Sequence, residues 1–394
     1  MTTFSLKKNI LVINHSPVFG GATQSLLIYL KESVKLFNFT CLTPKGSSSR
    51  IFQENNIKTN TVFGFSQFNN NNFGYYDGWR WLVLIREILL FFYNFFFIFN
   101  YRFSKPKPDL ILLNDLTLLP SAILFNLFYN CKIISYVRSK QNTTNKLRIK
   151  FQNYLIKKYI YKLIFIDEDV RKSTKYPAKI KTINLYNSFY IQNRLTKKRN
   201  SITNVGFVGN FTNSKGVELL INTIKSLRSN RRIFFYIVGP IPQKPNFIEK
   251  VLKILGIRQN YYDLFKNNEK IISKNSRFIG FRYKLDNFYK KIHVLIFPSY
   301  VSAAGRPVLE AACYGVPSLL TLFENDKNDI IKNNFNGLHI KNNSKKDLVN
   351  KIIYLNKNKK ILNKLSLNAY KNSKLKFDVS KNKIIFRKIL KSTI

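Results

Sequence analysis

The sequence predicts an α/β protein made of two doubly wound parallel sheets, one in each half, followed by a terminal helix with no strand after it. Three observations carry this. Short apolar runs bounded by turn residues alternate with longer helical patterns. The series lapses once, over residues 195–204, where Thr196-Lys197-Lys198-Arg199-Asn200-Ser201 is polar and basic, and then restarts. The 394 residues suffice for about two domains at roughly 100–200 residues each. With 45% hydrophobic and 15% aromatic residues the chain can bury a sizeable core, which excludes a disordered basic tail.

In the first half, residues 10–14, 39–42, 110–114, 132–137, 163–166 and 182–185 are expected strands, brief runs rich in Ile, Leu, Val and Phe. Helical patterns fall between several of them, at 24–32 and 147–160. After the polar lapse, 204–208, 234–238, 278–280, 294–297 and 318–321 repeat the strand pattern. A basic amphipathic stretch at 381–391 closes the chain. The expected division is 1–195, 196–375 and a C-terminal helix within 376–394.

The formal net charge is +46, from 66 Lys and Arg against 20 Asp and Glu. Lys, Asn, Ile, Phe and Tyr crowd every segment alike, as A/T-rich codons produce. The cations are scattered and accompany no zinc-finger, aromatic RNA-binding or basic-zipper pattern, so nucleic acid is not the expected partner. An anionic membrane surface is better matched, because basic residues with apolar neighbours gain from both electrostatics and partial burial. Residues 88–99 are the most apolar stretch, about a dozen residues preceded by Arg86 and Glu87 and short of the roughly 20 needed to span a bilayer. They read as a buried or half-buried helix, or as one lying in the membrane interface. Cys41, Cys131 and Cys313 are too far apart for a disulfide framework, which points to a reducing, cytoplasmic compartment. The short apolar run 10–13 does not make a signal peptide. His15, His293 and His339 stand alone, so no protein metal site is expected.

Ligands of open parallel sheets bind beyond the carboxyl ends of the strands, where loops enter helices. Three such turns bear chemistry. The first, from Asn14 to Gly21, ends in the pair Gly20-Gly21, where backbone can approach a ligand or simply turn tightly. The second runs from Val205-Gly206 through Gly209-Asn210 to Lys215-Gly216. A lysine at a helix N-terminus opposes the dipole unless an anion is also held, and a diphosphate is such an anion; a solvated surface lysine is the alternative. The third contains Pro298-Ser299, Ser302, Gly305-Arg306-Pro307-Val308, Glu310, Gly315 and Pro317. Pro307 suits a first helical position and Gly315 a helix end, which sets Glu310 in about the first turn. There it could accept hydrogen bonds from the two hydroxyls of a ribose, or merely offset the helix dipole.

Together these residues resemble the retaining glycosyltransferases of family 4, which have the GT-B fold of two facing Rossmann-like domains. Val208-Gly209 to Lys215-Gly216 matches that family's strand, glycine, loop and Lys-Gly. Pro298-Ser299, Ser302 to Arg306, Glu310-Ala311, Gly315 and Pro317 match its Pro-Ser, Glu-Pro-Phe-Gly-Arg, Glu-Ala, Gly and Pro. Asn336-Gly337-Leu338 matches its Asn-Gly-Leu; Gly20-Gly21, Pro108-Asp109-Leu110 with Asn114, and Asn187 resemble its N-terminal landmarks.

The resemblance implies transfer of a hexose-type sugar from a nucleotide diphosphate sugar to a glycan or lipid-linked acceptor, with retention at the anomeric carbon, in cell-surface polysaccharide assembly. Lys215 would bind the diphosphate, Glu310 the ribose, and the backbone from Gly305 to Val308 the phosphates and sugar. Gly20, Gly21 and Arg138 would serve the substrate from the first half. Leaving-group charge would be met by Lys215, a guanidinium and the helix N-terminus, with no cofactor and no metal required. The last helix would cross back to the N-terminal domain, and cleft closure would exclude water. Two departures stand out. Asn210 replaces an arginine five residues before the lysine, and Ser302 replaces the first of two glutamates. Arg306 is the candidate to compensate for Asn210. The alternative reading is a catalytically degenerate member that binds a sugar nucleotide or a partner without transfer.

Overall fold

The computed structural model describes residues 7–71, 81–192, 202–254, 261–300, 304–322, 329–341 and 344–394. The chain forms two compact units, Met1–Ser188 with Val379–Ile394, and Phe189–Asp378. Of the expected linker, 195–204, residues 195–201 lie outside the described residues.

The first unit holds a parallel sheet of seven strands: β1 (Lys8–Ile13), β2 (Phe37–Pro44), β3 (Lys58–Val62), β4 (Leu110–Leu113), β5 (Ile133–Val137), β6 (Lys162–Phe165) and β7 (Lys181–Asn184), in the order β3-β2-β1-β4-β5-β6-β7. The second holds six: β8 (Thr203–Val208), β9 (Ile233–Val238), β10 (Ser276–Gly280), β11 (Val294–Phe297), β12 (Ser318–Leu322) and β13 (Gly337–Lys341), in the order β10-β9-β8-β11-β12-β13. Central strands such as β4 and β11 are buried on both faces, which is why LILL and VLIF read as unbroken apolar runs.

Two strands escape the expected pattern, and both are edges. β3 is Lys-Thr-Asn-Thr-Val, paired only through Thr40↔Lys58 to Pro44↔Val62, and β13 follows the turn at Asn336. Edge strands have one open side and tolerate polar residues, so hydrophobic runs do not reveal them.

Both sheets reverse direction of growth after their third strand in sequence, placing a switch point between β1 and β4 in one and between β8 and β11 in the other. The crevice outside the carboxyl ends of those strand pairs is where open α/β sheets bind ligands.

Each face of the first sheet has its own core. One is built from β-strand residues with the helices Val83–Ser104, Leu119–Tyr129 and Lys146–Tyr159. The other includes the helix Gly21–Ser33 and Phe386, Ile389 and Leu390 of the terminal helix Val379–Lys391, with Phe386 stacked on Tyr29 at 5.0 Å.

The apolar stretch expected over 88–99 is a helix of 22 residues, Val83–Ser104, reaching well past Arg86 and Glu87. Glu87 does not interrupt it because its carboxylate is buried against the chain: Gln67 N–H donates to Oε2 at 2.6 Å and Arg86 donates to Oε1 at 3.0 Å. The helix is long and apolar enough to cross a membrane by length and composition. It is nevertheless tied along one stripe to its own unit. Asn94 Oδ1 accepts from Ser66 N–H at 2.8 Å, Tyr101 OH accepts from Asn60 at 3.0 Å, and Arg102 donates to the Phe128 carbonyl at 3.1 Å.

Candidate functional site

In the second unit the carboxyl end of β8 leads through Gly209-Asn210 into a 3-10 turn at Asn213–Lys215 and, after Gly216, into the helix Val217–Ser226. Gly216 adopts φ +68°, and a Cβ there would lie 1.7 Å from the Pro298 carbonyl oxygen. Only glycine permits that close approach, which brings the β8 loop against the β11 loop. Ser299 Oγ completes the join by donating to the Ser214 carbonyl at 2.6 Å.

Lys215 is largely withdrawn from water, and burial pushes its pKa below the usual lysine range. Its Nζ stands 5.3 Å from the centre of the Phe297 ring. No carboxylate pairs with it among the described residues. A half-buried ammonium with a ring as its partner among the described residues is attracted by the ring quadrupole, but that replaces a small part of lost hydration. Gly305 packs on the same ring, where a Cβ would come within 2.6 Å of Cζ. Lys215 and the start of the helix Arg306–Cys313 are thus brought together around Phe297.

Glu310 is the fifth residue of that helix, one position further in than a start at Pro307 would set it, since the helix begins at Arg306. Its charge is met by side chains. Arg306 Nε donates to Oε1 at 2.7 Å, and Tyr289 OH donates to Oε2 at 2.9 Å. Tyr289 is buried, and desolvation together with the Glu310 charge holds its phenol well above the ordinary range. A carboxylate has about four acceptor positions, so Glu310 retains capacity for ligand hydroxyls while these two donors fix its orientation. The Arg306 guanidinium also covers the Phe189 ring at 4.6 Å. Its positive charge is therefore committed to Glu310, so compensation for Asn210 would need Arg306 to leave this ion pair. Asn210 itself is exposed and Gly209 N–H donates to the Val238 carbonyl at 3.0 Å. Val308 is buried, its N–H donating to the Gly305 carbonyl at 2.9 Å. Ser302 lies outside the described residues.

In the first unit Gly20 caps the helix Gly21–Ser33 in extended conformation, and a Cβ on it would meet nothing nearer than the Val18 carbonyl at 4.0 Å. Packing alone does not require glycine there. Arg138 follows β5 and donates to the Asn114 carbonyl at 2.7 Å and to Asn114 Oδ1 at 2.6 Å. Asn114 in turn donates to Asn14 Oδ1 at 2.8 Å, so the carboxyl ends of β1, β4 and β5 share one polar chain.

Sequence reasoning named Lys215, Arg306 and Glu310 and missed Tyr289 and Phe297, which hold them in place. No motif marks either aromatic; their roles depend on neighbouring strands. His293 Nδ1 accepts from Asn204 N–H at 2.9 Å, a link between strand ends. No group of three or more His, Cys, Asp or Glu residues suited to a metal ion occurs among the described residues.

Residues 192–372 match the family model described as glycosyl transferases group 1. Among solved structures, Anabaena HepE in complex with UDP-glucose is similar over 98% of this chain and 99% of its own, with TM-score 0.73 and 16% identity. A glycosyltransferase from Rickettsia africae ESF-5 is similar over 98% of each chain, at TM-score 0.73 and 17% identity. The sucrose-phosphate synthase of Thermosynechococcus elongatus follows at TM-score 0.70 and 13% identity, covering 98% of this chain and 99% of its own. No curated protein matches the chain in sequence.

Proposed function

We propose, from a GT-B fold whose residues 192–372 match glycosyl transferases group 1, that the protein transfers a sugar from a nucleoside diphosphate sugar to a hydroxyl of a glycan or lipid-linked acceptor, retaining the anomeric configuration. The observation that carries this reading is Lys215: a half-buried cation with no carboxylate partner among the described residues, at a sheet switch point and beside a helix start. Such a cation is poised for an anion. The donor's diphosphate would meet Lys215 and the positive end of the dipole of the helix Arg306–Cys313, and its ribose would meet Glu310. The bond from the anomeric carbon to the phosphate oxygen breaks, the bond to the acceptor oxygen forms on the same face, and the hydroxyl proton leaves with the departing phosphate. Preorganised donors around that phosphate lower the barrier without a metal ion. A hexosyl donor and a role in cell-surface polysaccharide assembly fit this chemistry.

A panel of UDP-, GDP- and ADP-sugars tests the reading by thermal stabilisation. One nucleotide class is expected to raise the Tm, because a ligand that binds only the folded state stabilises it by mass action. Release of that sugar to water or to an acceptor separates a working transferase from a degenerate binder. Stabilisation with no turnover for any donor supports the binder.

The acceptor side of the reading rests on the helix Val83–Ser104, of which only 17% of the most apolar 18-residue window is buried. Leu89, Phe92, Phe96 and Phe103 are 66%, 59%, 64% and 75% exposed. On the same face of the sheet, the helix Lys146–Tyr159 adds exposed Leu147, Phe151 and Tyr154, interleaved with Lys146, Lys150 and Lys157. An apolar surface bordered by cations matches the interface of an anionic bilayer, and the stripe bonded to the unit makes the helix lie on that bilayer rather than cross it. The cytoplasmic leaflet is our assignment, consistent with three unpaired cysteines. Wild-type protein is expected to co-sediment with phosphatidylglycerol vesicles. The triple change Leu89→Glu, Phe92→Glu and Phe96→Glu is expected to lower partitioning at least ~10-fold, since burial of each side chain contributes about 1.5–3 kcal/mol. Equal sedimentation of the variant would remove membrane docking from the proposal.

A further inference from the structure

Three neighbouring strands of the first sheet begin at a lysine: Lys132 stands just before β5, Lys162 opens β6 and Lys181 opens β7. These are the amino ends of the strands, opposite the crevice of the switch point. Lys162 and Lys181 are direct partners across the pair β6 and β7. Their ammonium groups converge with that of Lys132 on one ring, at 6.0, 5.1 and 5.0 Å from the centre of Tyr161. Lys181 also donates to the Tyr161 hydroxyl at 3.1 Å.

Like charges this close repel, and their protein partners offset only part of the repulsion. Lys132 donates to the Thr393 carbonyl at 2.7 Å, and Lys162 donates to the hydroxyls of Ser392 and Thr393 at 3.2 and 3.0 Å. Those oxygens follow the terminal helix Val379–Lys391, and the helix Lys146–Tyr159 ends two residues before Tyr161. Each helix end contributes about half a negative charge, so of three ammonium charges about two stay unmet. No carboxylate is among the groups whose charge acts on Lys162 or on Tyr161. Burial, reinforced by Lys181 and Lys132, pushes the pKa of Lys162 down, and the hydrogen bond from Lys181, with the charges around it, pulls the Tyr161 phenol below its ordinary range.

A ligand can reach this cluster, because Lys132 and Lys181 are exposed and Tyr161 is half-buried. Lys162, only 9% exposed, acts through its charge. The Tyr161 oxygen accepts from Lys181, which leaves the phenol proton to donate to an anion. We propose that Lys132, Lys181 and Tyr161, backed by the charge of Lys162, bind the dianionic phosphate group of a phosphomonoester. Two unmet positive charges match a dianion better than a phosphodiester, which carries one charge and fewer free oxygens. Soluble phosphate esters and a phosphatidate headgroup both present this group. The site shares no residue with the candidate donor site and stands whether or not the transferase reading holds.

The test labels the tyrosines of the full chain with ¹³C at the ring carbon that bears the hydroxyl, and assigns the Tyr161 signal with Tyr161→Phe. Inorganic phosphate, glycerol 3-phosphate and dihexanoyl phosphatidate below its micelle concentration are added separately at constant ionic strength. Dimethyl phosphate and dihexanoyl phosphatidylglycerol are the matching diesters. The Tyr161 signal is expected to shift saturably with a monoester, and the phenol to titrate at higher pH once the anion is bound, because a neighbouring negative charge disfavours phenolate. Lys132→Gln and Lys181→Gln are each expected to weaken binding ~5-fold, and together at least ~20-fold. Lys250→Gln with Lys270→Gln removes the same charge from exposed positions of the second unit and is expected to leave binding unchanged. Equal affinity for glycerol 3-phosphate and the phosphatidate supports the site with a soluble ligand, and tighter binding of the phosphatidate supports it with a lipid headgroup. No shift with any monoester, an equal response to the diesters, or equal weakening by the control pair overturns the proposal.

Discussion

Lys215→Met is expected to do two opposite things: to raise the Tm of the ligand-free protein and to lower kcat/KM by about 10²–10³. Burial depresses the folded-state pKa of this lysine, so folding at neutral pH confines a charge that the unfolded chain would hydrate. Between the depressed folded pKa and the usual lysine value near ~10.4 the unfolded state binds more protons, and stability rises with pH across that window. Methionine fills similar space over Phe297 with no charge to desolvate. The variant should therefore lose the alkaline rise in stability that the wild type shows. Donor affinity in the wild type should move the other way, weakening as pH rises and the ammonium loses its proton. Parallel pH profiles in melting experiments and donor titrations check both signs. A variant less stable than wild type and equally active would contradict them.

Gly216→Ala is expected to cost about 3 kcal/mol or more and to abolish donor binding even where the protein remains folded. Two effects combine. The φ of +68° is unfavourable for alanine, and the new Cβ would overlap the Pro298 carbonyl oxygen at 1.7 Å. No side-chain rotation relieves a clash between Cβ and backbone, so the β8 and β11 loops must separate and carry Lys215 away from Phe297. Gly280→Ala is the matched control, because Gly280 has φ +76° but a Cβ added there would meet nothing within 4 Å. It should show only the backbone penalty, about 1–3 kcal/mol, with donor affinity retained. Equal damage from both substitutions, measured by chemical denaturation and calorimetry, would show that the contact with Pro298 is unimportant.

Much of the fold is legible in the sequence because buried parallel strands must be continuously apolar, as Leu110–Leu113 and Val294–Phe297 are. Lys58–Val62 is illegible for the converse reason: an edge strand needs little burial. The helix Val83–Ser104 is cut short on paper by Arg86 and Glu87, because the partner that makes a buried Glu87 acceptable, Gln67 N–H, lies 20 positions away. The same distance effect divides the candidate donor site. Lys215 and Glu310 stand out through motif spacing, but Tyr289, 21 positions from Glu310, has no local mark. The lysine cluster of the first unit is less visible still, since Lys132, Lys162 and Lys181 meet only because β5, β6 and β7 pair across the sheet.

Calorimetry with a nucleoside, its diphosphate and the 2′,3′-dideoxy diphosphate, against wild type, Lys215→Met and Glu310→Gln, tests the donor assignment most directly. The account predicts that Lys215→Met weakens the diphosphates at least ~100-fold and leaves the bare nucleoside unaffected, while Glu310→Gln weakens the ribose diphosphate and not its dideoxy analogue. Losses that ignore the phosphates or the ribose hydroxyls, or wild-type affinity in both variants, would contradict it.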